Sequence, residues 1–431
     1  MLTSLTILFE ILIQVFLKIN LVESRPAALI FPMLFITSAA YFTDLSKNRR
    51  LRPVMLPLTL GYCFRLFLVA FDIYGRNIYS LPNSGADSEM FFREAILYSD
   101  GGLVIGAFQQ MVGKIFSWIG VSRLYMQFLL MLLSVAALHL LAAMLRDIGL
   151  DTSRQRKTMY ILCLMPNFAI LSSIFLRESI VAFFAALSLW AFIKWWMSGS
   201  DRWFILAFTA VFCASRFHSG TVAMAIGYIA IRFLYDKRRK AFHTSWKNIL
   251  PTIVLVTVFV YLYINHKSVL FGKMEGIEAI DDIASGNGMG NSTYAAYVGN
   301  SNTPLNMLIY TLPRIVFFLF SPFPWHWRGL SDIIAFCFNS TFYLWAIYST
   351  YKYLRSKEPE NRNLLIALLI VALVTVFVFA WGTSNTGTAV RHRDKMVILY
   401  GVIWALTVGK TKFVRLRLRP HERNMRWKRM N

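Results

Sequence analysis

The chain has 431 residues, 57% of them hydrophobic and only 16% charged. Average soluble domains carry roughly 45–50% apolar and about 25% charged residues, so this composition argues against a soluble enzyme. The formal net charge of +23 suits nucleic acid in principle. Here, however, the basic residues lie in short loops between apolar blocks and in the segment from Lys410 to Arg429. That is the distribution of a multi-pass membrane protein with its basic loops in the cytoplasm, and no nucleic-acid partner is expected.

The apolar blocks approach the roughly 20 residues that an α-helix needs to cross hydrocarbon. They predict an all-α polytopic membrane protein with about twelve spanning helices, near 3–17, 27–43, 54–75, 122–145, 158–176, 179–196, 203–216, 219–235, 249–266, 331–351, 363–381 and 394–410. The stretches 101–120 and 305–328 are too amphipathic or too broken for a span and are expected at the interface or re-entering from it. No charged n-region or small-residue cleavage site marks the first block, so Leu2–Phe16 is expected as a retained helix. No repeat or linker divides the chain. It reads as one membrane domain over 1–431, with outer-face loops at 77–121 and 267–330 and a basic cytoplasmic tail at 411–431 suited to anionic headgroups. Cys63, Cys163, Cys213 and Cys337 each sit inside an apolar block, as small buried side chains do, with no disulfide or zinc spacing.

Charge sets the expected orientation. Lys47/Arg49/Arg50/Arg52, Arg146/Arg154/Arg156/Lys157, Lys237/Arg238/Arg239/Lys240, Lys352/Arg355/Lys357/Arg362 and the tail all fall on one side of the predicted topology. That side is cytoplasmic by the positive-inside rule. Both termini are then inside, and the polar chemistry gathers on the other face.

Five motifs on that face can carry chemistry. The loop Asn83–Ala95 sets Asp87, Glu89 and Glu94 beside Phe91 and Phe92. A carboxylate can take a proton from a sugar hydroxyl, and an aromatic face can pack on a sugar ring; the plain alternative is a solvated loop with an aromatic anchor. Arg177-Glu178 interrupts two apolar runs after Ser172-Ser173. Ionisable groups at membrane depth are costly and face a cavity or a partner, unless the two only pair with each other. Ser215-Arg216-Phe217-His218 repeats that design at the next hairpin. Thr388–Lys395 holds Arg391, His392 and Arg393, a cationic cluster facing outward against the charge rule. A bound pyrophosphate would compensate it, because arginine forks match phosphate oxygens; a locally inverted topology is the alternative. Arg314 and the run Pro322-Phe-Pro-Trp325-His-Trp-Arg328 combine helix-breaking prolines with interfacial tryptophans, either as substrate contacts or as a membrane anchor. Mid-span Arg65 is expected to pair with Glu10 or another polar group. The histidines show no metal-ligand spacing, and there is no phosphate-binding loop or dinucleotide fingerprint, so neither a metal nor a cofactor is expected.

An acidic first outer loop (Asp87, Phe91, Ala95), an Arg-Glu pair after Ser-Ser, Pro-Phe-Pro-Trp after a long outer loop, and a late Gly-Thr-x-x-Arg-x-Arg together resemble bacterial Wzy-like polysaccharide polymerases, within the wider set of GT-C-like membrane glycosyltransferases. The resemblance covers most of the chain, although Asp87 follows the third predicted span where the GT-C pattern sets its acidic residue after the first. It implies a GT-C-like fold in the bacterial cytoplasmic membrane with the site facing the periplasm. It implies a metal-independent transferase acting on oligosaccharide repeat units carried by undecaprenyl pyrophosphate, with a chain-length regulator and a flippase as partners. On that footing Arg177, Arg216, Arg391, His392, Arg393, Arg314 and Arg328 are the candidate pyrophosphate ligands, and Phe91 and Trp325 contact sugar. Asp87 is the candidate base, with Glu178 and His218 as alternatives. Competing expectations are a GT-C transferase using a lipid-phosphate sugar, an O-antigen ligase, or a transporter of the same lipids. A transporter should show charge through the midplane and paired halves.

Overall fold

The computed structural model describes residues 1–20, 26–236, 304–356 and 361–408, with a few single positions and pairs between 239 and 298. The predicted span 249–266, most of the outer loop 267–330, most of the basic loop 237–240 and the tail 411–431 lie largely or wholly outside the described residues.

The helices are α1 (Leu2–Asn20), α2 (Pro26–Lys47), α3 (Met55–Tyr74), α4 (Ala86–Ser99), α5 (Ala107–Ile119), α6 (Arg123–Asp147), α7 (Thr152–Leu164), α8 (Pro166–Leu171), α9 (Glu178–Ser198), α10 (Asp201–Phe217) and α11 (Ala223–Leu234). After the gap come α12 (Pro304–Phe320), α13 (Leu330–Ile334), α14 (Thr341–Leu354), α15 (Arg362–Trp381), α16 (Thr386–Asp394) and α17 (Val397–Thr407). The strand content among the described residues is one two-residue hairpin pairing, Tyr235–Asp236 with Ala241–Phe242. Local chemistry sets several helix ends. The Ser122 hydroxyl accepts from the Tyr125 amide at the start of α6, and Asp151 accepts from the Arg154 amide at the start of α7, each satisfying an N–H that has no partner within the helix. Gly199, at φ 76°, ends α9 in the left-handed conformation that favours glycine.

Five helical stretches among the described residues are long and apolar enough to cross a membrane: Arg49–Tyr74, Arg123–Asp147, Glu178–Ser198, Leu330–Leu354 and Arg362–Trp381. They give the protein the architecture of a polytopic membrane protein. Shorter apolar helices run over Leu2–Phe16, Ser219–Leu234, Ile309–Phe320 and Val397–Thr407. The expected count of twelve spans is therefore corrected. The apolar run 158–176 is not one helix, because Pro166 starts α8 as a separate six-residue helix and the chain then leaves helical form before α9. Among its described residues the run 394–410 holds the 11-residue α17, set off from α16 by a turn at Lys395-Met396. The run 203–216 lies within a 17-residue helix that carries Asp201, Arg202 and Arg216. An apolar run records what can be buried, whereas a span also requires an unbroken hydrogen-bond ladder.

Helix α9 packs against both α6 and α10 at the centre of the bundle, and Phe192 stacks on Tyr228 at 4.4 Å between ring centres. Small residues permit the closest crossings, as they do where helices meet in membranes. A Cβ on Gly227 of α11 would stand 2.9 Å from the Val371 Cα of α15, and one on Gly61 of α3 would stand 2.8 Å from the Cys163 Cβ of α7. Fully buried Arg65 does not pair with Glu10. Its guanidinium donates to Ser172 Oγ (3.1 Å), to Gly61 O of its own helix (3.1 Å) and to Cys163 O (2.6 Å), the last beside the break between α7 and α8. Glu10 instead accepts from Thr37 Oγ1 at 2.7 Å and from the Tyr125 hydroxyl at 3.4 Å.

The helix ends expected in the cytoplasm are tied together by polar contacts. The N-terminal amine meets Asp44 at 3.0 Å, Arg156 donates to the Pro53 carbonyl at 3.2 Å, and Lys194 meets Asp147 at 2.9 Å. The candidate chemistry lies at the opposite helix ends.

Candidate functional site

Four segments distant in sequence converge there. Asp87 lies in the first turn of α4, Glu178 opens α9, His218 caps the C-terminus of α10, and Arg391 and His392 occupy the last turn of α16. The Asn385 side chain starts α16 by accepting from the Gly387 amide at 2.8 Å.

Arg391 is the hub. Its Nε and Nη2 donate to Glu178 Oε1 at 3.1 and 3.0 Å, and its Nη1 donates to the Asp87 carboxylate. The two acids differ in setting: the Glu178 side chain is 4% exposed and the Asp87 side chain 50%. Lys395 is buried, with its amine 3.8 Å from Glu178 Oε1. The Arg177 guanidinium lies 5.8 Å from the centre of the Phe91 ring, one helical turn after Asp87. Its Nε is buried and without a hydrogen-bond partner among the described residues. Beside this group the Nε2 atoms of His218 and His392 are 2.9 Å apart, and Thr383 Oγ1 is 2.7 Å from His392 Nδ1.

Burial and charge bias each group. Burial draws the Arg177 pKa below its ordinary value. Burial also opposes the charge of Arg391, but Glu178 and Asp87 together outweigh it and hold that guanidinium above its usual value. His218 and His392 are both pushed well below the usual imidazole range, by burial first and then by Lys395 and the neighbouring arginines. The pair is accordingly neutral near pH 7, with one ring donating to the other across the Nε2–Nε2 contact. Burial likewise pushes the Lys395 amine well down.

The other candidates lie elsewhere. Arg393, next to the hub, faces away: its Nη1 donates to Leu319 O (2.6 Å) and Ser340 Oγ (3.2 Å), as a strut between α16 and α12. Arg314 is buried with its guanidinium 4.4 Å from the centre of the Trp381 ring. Arg328 bonds Asp332 through Nε at 3.1 Å and Nη2 at 3.2 Å. Trp325 is exposed and stacks on Phe323. Arg216 lines an open apolar cavity of about 1250 Å³ bordered by α1, α2, α5, α6, α9 and α10, with Ile7, Ile115, Leu133, Phe184 and Phe217 among its walls. This exceeds the roughly 300–1,000 Å³ of small-molecule pockets. It adjoins the hub in the chain, since its wall residue Ile180 follows Glu178 by two positions and Phe217 precedes His218.

Sequence reading passed over Lys395 and Thr383. Lys395 had a usable signal, because it follows Arg391 by four positions and residues at that spacing share a helix face. Thr383 had none, since only the packing of α15 against α16 brings it to His392. Glu89 is also more than a loop carboxylate. It accepts from Arg123 at 2.6 Å and pairs with Arg76, while Asp72 pairs with Arg76 at 3.3 Å and accepts from Gln127 at 2.9 Å. This network ties α4 to α3 and α6 and so positions Asp87. Glu94 accepts from Gln109 at 2.7 Å. No group of three His, Cys, Asp or Glu side chains among the described residues is placed to hold a metal ion.

No protein-family profile, curated protein or solved structure matches the chain.

Proposed function

We propose that the protein is a membrane glycosyltransferase that polymerises oligosaccharide repeat units carried on a polyprenyl pyrophosphate, working at the outer face of the bacterial cytoplasmic membrane. The observation that carries this reading is the convergence of Arg391, Arg177, Asp87 and Glu178 on one end of an apolar helical bundle. Arginine forks match phosphate oxygens in geometry and charge. The Arg391 guanidinium, fixed by Glu178 before substrate arrives, can stabilise the charge that develops on a pyrophosphate leaving group, as preorganised cations do. In the transfer, the acceptor hydroxyl oxygen attacks the anomeric carbon of the donor sugar. The glycosidic C–O bond to pyrophosphate breaks with its electron pair leaving on the phosphate, and the hydroxyl proton passes to Asp87. The cavity bordered by α6, α9 and α10 offers apolar walls for a lipid chain, and its wall residue Ile180 follows Glu178 by two positions.

Purified protein in liposomes, given a lipid-linked repeat unit, is expected to produce a ladder of chain lengths. Arg391→Lys keeps the charge but loses the fork, and is expected to abolish or severely cut the ladder while the protein still accumulates in the membrane. Translocation of the lipid without chain growth would favour a transporter instead. Transfer of one block to a different lipid acceptor, with no ladder, would favour a ligase.

A further inference from the structure

The hub arginine is shared unequally between its two acids. Glu178 takes two of its N–H groups from a buried position, while Asp87 takes a third from a side chain half open to solvent. A buried carboxylate cannot leave its cation without a large loss of interaction. An ion pair with one exposed member is worth little and is readily exchanged. Beside them the buried Nε of Arg177 lacks a hydrogen-bond partner among the described residues, although buried donors are nearly always paired. Two guanidiniums face two carboxylates, with the Lys395 amine behind Glu178. Removing Asp87 from this group leaves it positive, with Arg391 Nη1 released and Arg177 Nε still without a partner among the described residues.

We propose that Asp87 is a displaceable stand-in for a ligand phosphate: a phosphoryl oxygen takes its place on Arg391 Nη1 and engages Arg177, while Glu178 keeps its hold on Arg391. The exchange costs little because one anion replaces another on the same donor. It also links binding to catalysis. In the free protein the Asp87 carboxylate is engaged by Arg391, and arrival of the phosphate releases it beside the reacting centre. This inference rests on the proposed transferase reading for its catalytic consequence, but the exchange itself concerns anion binding alone.

The test is titration of full-length protein in nanodiscs with inorganic pyrophosphate, and separately with a polyprenyl pyrophosphate. Asp87→Asn removes the competing charge and should tighten binding about two- to five-fold, the worth of a half-exposed ion pair. Asp87→Glu, which keeps the competitor, should bind as wild type, and Arg391→Ala should lose binding. Affinity that is unchanged, weakened or undetectable in Asp87→Asn overturns the exchange. A chain-length ladder from wild type with no gain in Asp87→Asn overturns the exchange alone. A gain in Asp87→Asn with no ladder from wild type upholds the exchange and overturns the polymerase reading.

Discussion

Arg391→Ala is expected to destabilise the protein far more than removal of its exposed partner. Glu178 lies 96% buried and receives two hydrogen bonds from Arg391 on Oε1, while its Oε2 has no partner among the described residues. Without Arg391 the carboxylate keeps the Lys395 amine at 3.8 Å, beyond hydrogen-bond range, and the more distant charge of Arg177. Breaking a buried pair by removing one member costs about 3–5 kcal/mol, because a buried charge is left uncompensated. The nearby amine places Arg391→Ala at about 3 kcal/mol. Asp87→Ala breaks only a half-exposed pair and should cost less than about 1 kcal/mol. In the Arg391→Ala background, Glu178→Gln should restore about 2 kcal/mol, since a neutral amide replaces the stranded charge. Thermal unfolding of detergent-purified variants, followed by the loss of the monodisperse peak, reads the order, and the double mutant reads the coupling. The reasoning fails if Arg391→Ala proves as mild as Asp87→Ala, or if Glu178→Gln makes the double mutant worse.

Asp87→Asn should lower transfer turnover by about 10²–10⁴-fold, the usual contribution of general-base catalysis. Glu94→Gln, which keeps its bond to Gln109, should be near wild type in a quantitative ladder assay; Glu89→Gln should act through stability, because it weakens the Arg76 and Arg123 pairs. His218 and His392 have folded pKa values well below the ordinary 6.5, so below about pH 6.5 the unfolded chain binds protons that the folded chain refuses. Stability should therefore be level above that pH and fall as pH drops below it, by at most about 2.7 kcal/mol per pH unit for two groups. His218→Gln combined with His392→Gln should flatten that slope in melts between pH 5 and 7.5. A reporter that is active only outside the cytoplasm should work when fused after Gly101 and fail when fused after Gly149, on either side of α6; the reverse pattern would invert the orientation and move the site to the cytoplasmic face.

The all-α, membrane-spanning character was legible in the sequence because apolar burial is non-directional and adds along the chain, so runs such as 123–147 and 362–381 declare themselves without knowledge of their neighbours. The Arg177-Glu178 step and the 391–393 cluster were legible for the complementary reason: charge within an apolar run is costly and requires a purpose. The number of continuous spans was not, since the break at Pro166 and the turn at Lys395-Met396 divide runs that composition alone joins. Nor were the partners. Arg65 chose its own helix's Gly61 carbonyl and the Cys163 carbonyl beside a helix break over Glu10, Arg393 turned away from the cluster that its neighbour Arg391 centres, and Arg391 found Glu178 and Asp87 at separations of 213 and 304 residues. A hydrogen bond is short and directional, so its partner depends on the rotation and register of packed helices, and those are decided only when α4, α9 and α16 meet.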